Sequence, residues 1–181
     1  WLLFSLMKYN PIANFLEDKL ILYSKELNKD IDKINVIISI SGGVDSLVLS
    51  YIYCYFKIKY KIKLDLVHFN HKISNNSDQM ALYCRRFAKK NKVNIIVKNL
   101  HFNSMSNFES RARQKRYSNL EIISRKLNAD LIMTAHHKND QIETLFMKKN
   151  DGADWISRIG IREKIDNIRR PMLDISKDQI Y

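Results

Sequence analysis

Short apolar runs alternate along the chain with longer stretches in which apolar residues recur every three or four positions. Residues 36–40, 64–69, 94–100 and 130–134 are short and rich in Val, Ile and Leu, which predicts buried strands. Residues 46–57, 77–90, 108–127 and 140–149 carry the spacing of amphipathic helices. Strands alternating with helices of this length build βαβ units, so the pattern predicts an α/β fold whose parallel sheet is covered on both faces. Residues 11–27 predict a leading helix on the outside. Residues 169–173 predict a fifth strand, and Ser176-Lys177-Asp178-Gln179 predicts a capping box opening another helix. That helix has only begun at Tyr181, so the expectation is one domain of a longer protein.

Composition narrows the class. A chain of 181 residues, 45% hydrophobic and 28% charged, suits one globular domain with a core of its own. No apolar run is long enough to span a bilayer, so no membrane partner is expected. Residues 1–6 are apolar but lack the basic flank and small-residue cleavage site of a secretory signal, and Met7 reads as a natural start. Cys54 and Cys84 fit no zinc or redox spacing and read as core residues of a reducing compartment. A net charge of +12 and a pI near 9.7 suit a polyanionic partner such as nucleic acid. Coding bias toward Lys, Ile and Asn produces the same excess, so charge alone leaves the partner open.

The strongest local signal is Ser41-Gly42-Gly43-Val44-Asp45-Ser46, set between a strand and a helix. Adjacent glycines let the backbone turn sharply and let amides approach a ligand with no Cβ in the way. The helix beyond offers free N–H groups and the positive end of its dipole to an anion, and Ser41 and Ser46 add hydroxyls. Asp45 would repel a bare phosphate, so its presence points to a bridging Mg2+. The segment lacks the Lys of a Walker A loop and the third glycine of the dinucleotide fingerprint. A glycine-rich turn that only caps a helix is the alternative; the complete hexapeptide between strand and helix favours phosphate binding.

Ser-Gly-Gly-x-Asp-Ser resembles the signature of the N-type ATP pyrophosphatases. That resemblance implies an adenine-nucleotide α-hydrolase-like, Rossmann-like sandwich. It implies ATP held by Ser41, Gly42, Gly43, Val44, Asp45 and Ser46, and attack on the α-phosphate with release of pyrophosphate. Asp45 would also be the Mg2+ ligand.

Further stretches resemble, in order, the tRNA(Ile)-lysidine synthases. Val67-His68-Phe69-Asn70-His71 lies at the end of the second strand, where α/β sheets place ligand contacts, and His68 and Asn70 could frame the adenine. His68 and His71 alone, with no third ligand nearby, do not make a metal site. Glu109-Ser110-Arg111-Ala112-Arg113-Gln114-Lys115-Arg116-Tyr117 is similar to the family's E-x-x-A-R-x-x-R-Y. Arg113 and Arg116 share a helix face, and Arg116 aligns with the apolar stripe of Ala112 and Leu120, where a cation is costly unless it meets an anion. A solvated basic face explains Arg111 and Lys115 better than Arg116.

Thr134-Ala135-His136-His137-Lys138-Asn139-Asp140-Gln141-Ile142-Glu143-Thr144 follows the fourth strand. Asp140 and Glu143 lie three apart near a helix start and could hold a cation or simply cap the helix. The resemblance implies that Asp140 and Glu143 hold the substrate lysine. Asn139 departs from the family's consecutive aspartates. Asp151-Gly152-Ala153-Asp154 departs from its R-G-S-G-like turn, whereas Arg170-Pro171-Met172-Leu173 resembles its R-P-L.

The resemblance covers residues 34–181 as the catalytic domain, with 1–33 as a helical lead-in and a C-terminal tRNA-binding region lying outside this chain. It implies ligation of L-lysine to the wobble cytidine of a tRNA(Ile) with a CAU anticodon, in the cytoplasm or an organelle, and leaves room for a homodimer. Asp45, Arg113, Arg116, Asp140 and Glu143 would be catalytic, and His136, His137 or Glu143 would be the base. Rival readings are a tRNA thiolase, which commonly carries paired cysteines absent here, an amidating synthetase making GMP or NAD, and a degraded nucleotide- or RNA-binding module.

Overall fold

The computed structural model describes residues 7, 9–72, 75–102, 108–150 and 160–181. Helix α1 (Pro11–Glu26) is opened by Asn10, whose side-chain oxygen accepts from the Ala13 amide at 2.9 Å. Pro11 follows at the first turn, where a missing N–H costs nothing. The alternating set then runs β1 (Asn35–Ser39), α2 (Val44–Tyr60), β2 (Lys63–Asn70), α3 (Asn75–Lys90), β3 (Asn94–Asn99), α4 (Phe108–Leu127), β4 (Leu131–Met133) and α5 (Lys138–Asn150). Each predicted strand and helix of this set is present within a few residues of its expected ends.

The described strands form one sheet in the order β3-β2-β1-β4-β6-β5, where β5 is Lys164–Ile165 and β6 is Ile168–Arg169. All pairs are parallel except β5 with β6. The expected strand at 169–173 is therefore shorter and earlier. Pro171 has no N–H to extend a ladder, and the Leu173 amide turns back to the Arg170 carbonyl at 3.2 Å. The β5–β6 hairpin is not among the elements that periodicity predicts. Its signal is a two-residue Asp166-Asn167 turn with Asp166 at φ 50°, a turn short enough to pass for a loop. Ser176 and Gln179 do form the expected capping box, with the Ser176 amide on Gln179 Oε1 at 2.9 Å, and α6 (Lys177–Ile180) follows.

Strand periodicity sorts the core into two layers. Val36, Ile38, Leu64, Leu66, Leu131 and Met133 face one side, against Leu16, Leu20 and Tyr23 of α1 and Ile52 and Phe56 of α2. Ile37, Val67, Phe69 and Ile132 face the other, against Leu120 of α4. Leu16, Leu20 and Phe56 are wholly buried, each removing apolar surface worth about 1.5–3 kcal/mol. Cys54 and Cys84 are buried free thiols, and burial pushes each up to about 11, as core cysteines require. Among the described residues no helix is long and apolar enough to cross a membrane.

This strand order decides where a ligand sits. From β1 the chain steps to β2 and β3 on one side, then crosses to β4 on the other, so a crevice opens beyond the carboxyl ends of β1 and β4.

Candidate active site

Residues 41–46 leave β1 at this crevice. Gly42 has φ +93°, a left-handed conformation, and a Cβ there would lie 2.1 Å from Met80 Sδ. Gly43 caps α2 with no side-chain hydrogen bond to its first turn, so those amides remain available to an anion. The Ser46 hydroxyl accepts from the amides of Ser41 at 3.1 Å and Gly42 at 3.2 Å and donates to the Gly43 carbonyl at 2.9 Å. Ser41 Oγ accepts from the Gly43 amide at 3.2 Å and lies 3.0 Å from Ser46 Oγ. Both serines thus shape the loop as well as furnishing hydroxyls.

Facing the loop, β4 ends at Met133 and leads through Thr134 to His136, His137 and Asp140. The His137 amide donates to Asp140 Oδ2 at 2.8 Å, and the Asp140 amide donates to His137 Nδ1 at 3.3 Å, a reciprocal cap for α5. With Nδ1 accepting, His137 Nε2 carries the proton in the neutral ring, and it points to Asp45 Oδ2 at 3.6 Å. Asp45 and Asp140 are therefore bridged by one imidazole. Asp45 Oδ1 is buried with no hydrogen-bond partner among the described residues, an orphaned acceptor that suits a cation. Among those residues no group of three His, Cys, Asp or Glu side chains is arranged to hold a metal ion, so phosphates and water would have to complete the shell of any Mg2+ there.

Between loop and strand end lies a cavity of about 210 Å3, lined by Ser41, Asp45, Ser46, Thr134, His136 and Asp140, with Arg116 and Tyr117 of α4 on its far side. Arg116 is half-buried, and among the described residues no hydrogen bond or ion pair engages it. Burial lowers its pKa from the usual guanidinium value. His136 is driven down to about 4, first by burial and then by the Arg170 and Arg113 charges, so it is neutral at physiological pH. Its Nδ1 lies 2.9 Å from Thr134 Oγ1.

A second cleft of about 260 Å3 adjoins the first and is lined by Ser41, His68, Asn70, His71, Met80 and Arg116. His68 Nδ1 is 2.9 Å from the Ile40 carbonyl. Asn70 donates to Asp78 Oδ1 at 2.7 Å and accepts from the Lys72 amide at 2.9 Å, so both side chains are oriented by the scaffold. Residues 16–181 match the PP-loop domain family. The chain belongs to the PP-loop family.

Curated relatives of this PP-loop domain include the tRNA(Ile)-lysidine synthase of Persephonella marina, 34% identical over 154 residues, covering 80% of this chain and 33% of that protein. The tRNA(Ile)-lysidine synthase of Streptococcus pyogenes serotype M3 is 33% identical over 97% of this chain and 39% of its own length. The chain thus spans about a third of the length of the curated relatives it matches. Two solved structures show the same fold. The U34-tRNA thiolase NcsA of Methanococcus maripaludis superposes with TM-score 0.67 at 20% identity, over 92% of this chain and 62% of that one. The ammonia-dependent NAD synthetase of Campylobacter jejuni does so with TM-score 0.60 at 17% identity, over 92% and 69%.

Within this PP-loop domain the crevice brings together Ser41, Asp45, Ser46, Arg116 and Asp140, with His68 and Asn70 in the adjoining cleft. Glu143 is exposed and lines none of the clefts described here. Arg113 is exposed as well, its guanidinium 5.1 Å from the Tyr117 ring centre. Asn139 turns away from the phosphate loop: its Oδ1 accepts from the Lys177 amide at 2.9 Å and so ties α5 to α6. The 151–154 segment lies outside the described residues.

Sequence reasoning did not single out Arg170. It is 1% exposed, donates to the Tyr117 hydroxyl at 2.9 Å and to the Arg162 carbonyl, and so braces α4 from behind at the residue next to Arg116. Its motif is visible as Arg170-Pro171, but nothing in spacing alone connects it to Tyr117.

Proposed function

We propose that this PP-loop domain is the catalytic domain of a cytoplasmic tRNA(Ile)-lysidine synthase, joining L-lysine to the wobble cytidine of a CAU-anticodon tRNA(Ile). The observation that carries the reading is Arg116. A half-buried guanidinium, engaged by no hydrogen bond or ion pair among the described residues, lines the crevice together with the phosphate loop, where charge would develop as an α-phosphate is attacked. The likeness to named lysidine synthases across most of the chain supports the choice of nucleophile.

In this reading the 41–46 loop and the first turn of α2 hold the β- and γ-phosphates, and the cleft at His68 and Asn70 takes the adenosine. The cytidine O2 forms a bond to the α-phosphorus as the bond to the pyrophosphate oxygen breaks, leaving the base adenylated. The lysine ε-amine then bonds to C2 and expels AMP, and one amine proton leaves to a base. Of the candidate bases, His136 lines the cavity and is neutral; His137 is engaged by Asp45 and Asp140, and Glu143 stands in solvent. In this reading Asp140, which lines the cavity, meets the lysine ammonium. Asp45, whose buried Oδ1 has no hydrogen-bond partner among the described residues, would hold Mg2+, which when bound offsets charge on the phosphate oxygens.

Incubation of the full-length protein with ATP, tritiated lysine and unmodified CAU-anticodon tRNA tests this directly. Label should enter that RNA only with ATP present. Pyrophosphate release without lysine label would instead indicate another nucleophile, such as the sulfur donor of a thiolase or the ammonia of an amidating synthetase. ATP binding with no turnover would indicate a binding module.

A further inference from the structure

Arg116 has no hydrogen bond or ion pair of its own among the described residues, so its place at the phosphate cavity depends on the turn of α4 that carries it. That turn is held through the next residue. Tyr117 lines the same cavity, and its hydroxyl accepts a hydrogen bond from Arg170 at 2.9 Å. Its ring also meets two guanidinium groups, that of Arg113 at 5.1 Å and that of Arg170 at 5.9 Å from the ring centre.

Arg170 is buried, yet among the described residues its guanidinium meets no carboxylate. Its partners are the Tyr117 hydroxyl and the Arg162 carbonyl, and Nε has none. A buried cation with only neutral partners costs free energy that an apolar side chain of similar size would not, so packing alone does not account for it. The backbone beneath it is fixed from the other side. The Arg170 amide donates to the Glu163 carbonyl at 2.9 Å, and the Glu163 carboxylate accepts from Lys19 at 2.9 Å and Tyr23 at 3.1 Å. A line of hydrogen bonds therefore runs from α1 through the residues flanking the β5–β6 hairpin to Tyr117, while Arg170 itself stays out of the cavity lining.

We propose that Arg170 is a positioning residue for the adenylation step: through the Tyr117 hydroxyl it fixes the turn of α4 that presents Arg116 to the α-phosphate. It touches neither nucleotide nor RNA and acts only through Tyr117 and Arg116. A guanidinium suits the task because its planar fork donates to Tyr117 and to the Arg162 carbonyl at once, in fixed directions. This assignment rests on the lysidine synthase reading and adds to it a role for the arginine of Arg170-Pro171.

The test measures single-turnover adenylation of unmodified CAU-anticodon tRNA by the full-length protein, read both as pyrophosphate released and as label moved from α-labelled ATP to RNA. Tyr117→Phe keeps the ring and removes only the hydroxyl. It should slow adenylation about tenfold, the scale of one lost hydrogen bond to a charged group, and leave the affinity for a non-hydrolysable ATP analogue unchanged. In an Arg116→Ala background the same change should slow the reaction no further, because the group it positions is gone. Arg170→Lys keeps the charge but loses the fork, and should behave as Tyr117→Phe does in both backgrounds. A Tyr117→Phe rate equal to wild type, or a tenfold loss that persists in the Arg116→Ala background, would overturn the positioning role while the lysidine reading stands. Pyrophosphate released with no label on the RNA would sink that reading alone, since the variants can still be compared by pyrophosphate. No pyrophosphate from the wild-type protein would sink both.

Discussion

Arg116→Ala is expected to slow adenylation of the RNA by about three orders of magnitude, the scale on which a single guanidinium acts in phosphoryl transfer. The expectation follows from three features of the side chain. It lines the phosphate cavity opposite Ser41 and Asp45, it is half-buried, and no carboxylate among the described residues neutralises it. A cation held that way costs free energy in the empty protein, a cost offset when negative charge forms beside it. Arg116→Lys keeps the charge but loses the planar fork, so it should recover only part of the rate. ATP affinity should change far less than turnover, because in the proposed reading the 41–46 loop supplies most of the phosphate contacts. Single-turnover rates beside equilibrium ATP binding check this; equal losses in both would make Arg116 a simple binding group.

Gly42→Ala should be the most damaging change in the loop. An L side chain at φ +93° costs roughly 1–2 kcal/mol in backbone conformation alone. Its Cβ would also fall 2.1 Å from Met80 Sδ and 3.3 Å from Cys84 Sγ, so α3 or the loop has to move. ATP affinity should drop by at least about tenfold, the equivalent of that strain taken from binding. Gly43→Ala is the matched control for the fold, since Gly43 has ordinary dihedrals and its Cβ would lie 3.4 Å from Ser41 Oγ. Melting curves should show Gly43→Ala near wild type and Gly42→Ala well below it. Combining Gly42→Ala with Met80→Ala should relieve the clash but not the backbone strain, giving a partial recovery.

Much of this site is legible in the amino-acid sequence alone. The hexapeptide at 41–46 announces a phosphate loop because strand, glycines and helix must occur in that order for amides to converge on an anion. Arg116 stands out because it breaks an apolar stripe. Other features depend on contacts between residues far apart in sequence, which no local pattern encodes. Arg170, just after β6, meets Tyr117 of α4, Met80 and Cys84 fill the space that makes Gly42 obligatory, and His137 links Asp45 to Asp140. Helix spacing puts Asp140 and Glu143 on one side of α5, yet only Asp140 lines the cavity. Residues three apart still differ by about 60° around a helix axis, enough to turn the second carboxylate out of a narrow crevice. The short β5–β6 hairpin escapes sequence reading for a plainer reason, since two-residue strands carry almost no periodicity.

The most direct test of the central claim follows the α-phosphorus of ATP. The full-length protein is mixed with α-labelled ATP and unmodified CAU-anticodon tRNA in the absence of lysine, and the products are separated. Label carried on the RNA as an adenylate, with pyrophosphate released and AMP freed only when lysine is added, is the predicted result. Label recovered as ADP, with the RNA unlabelled, would show cleavage at the γ-phosphate and contradict the account.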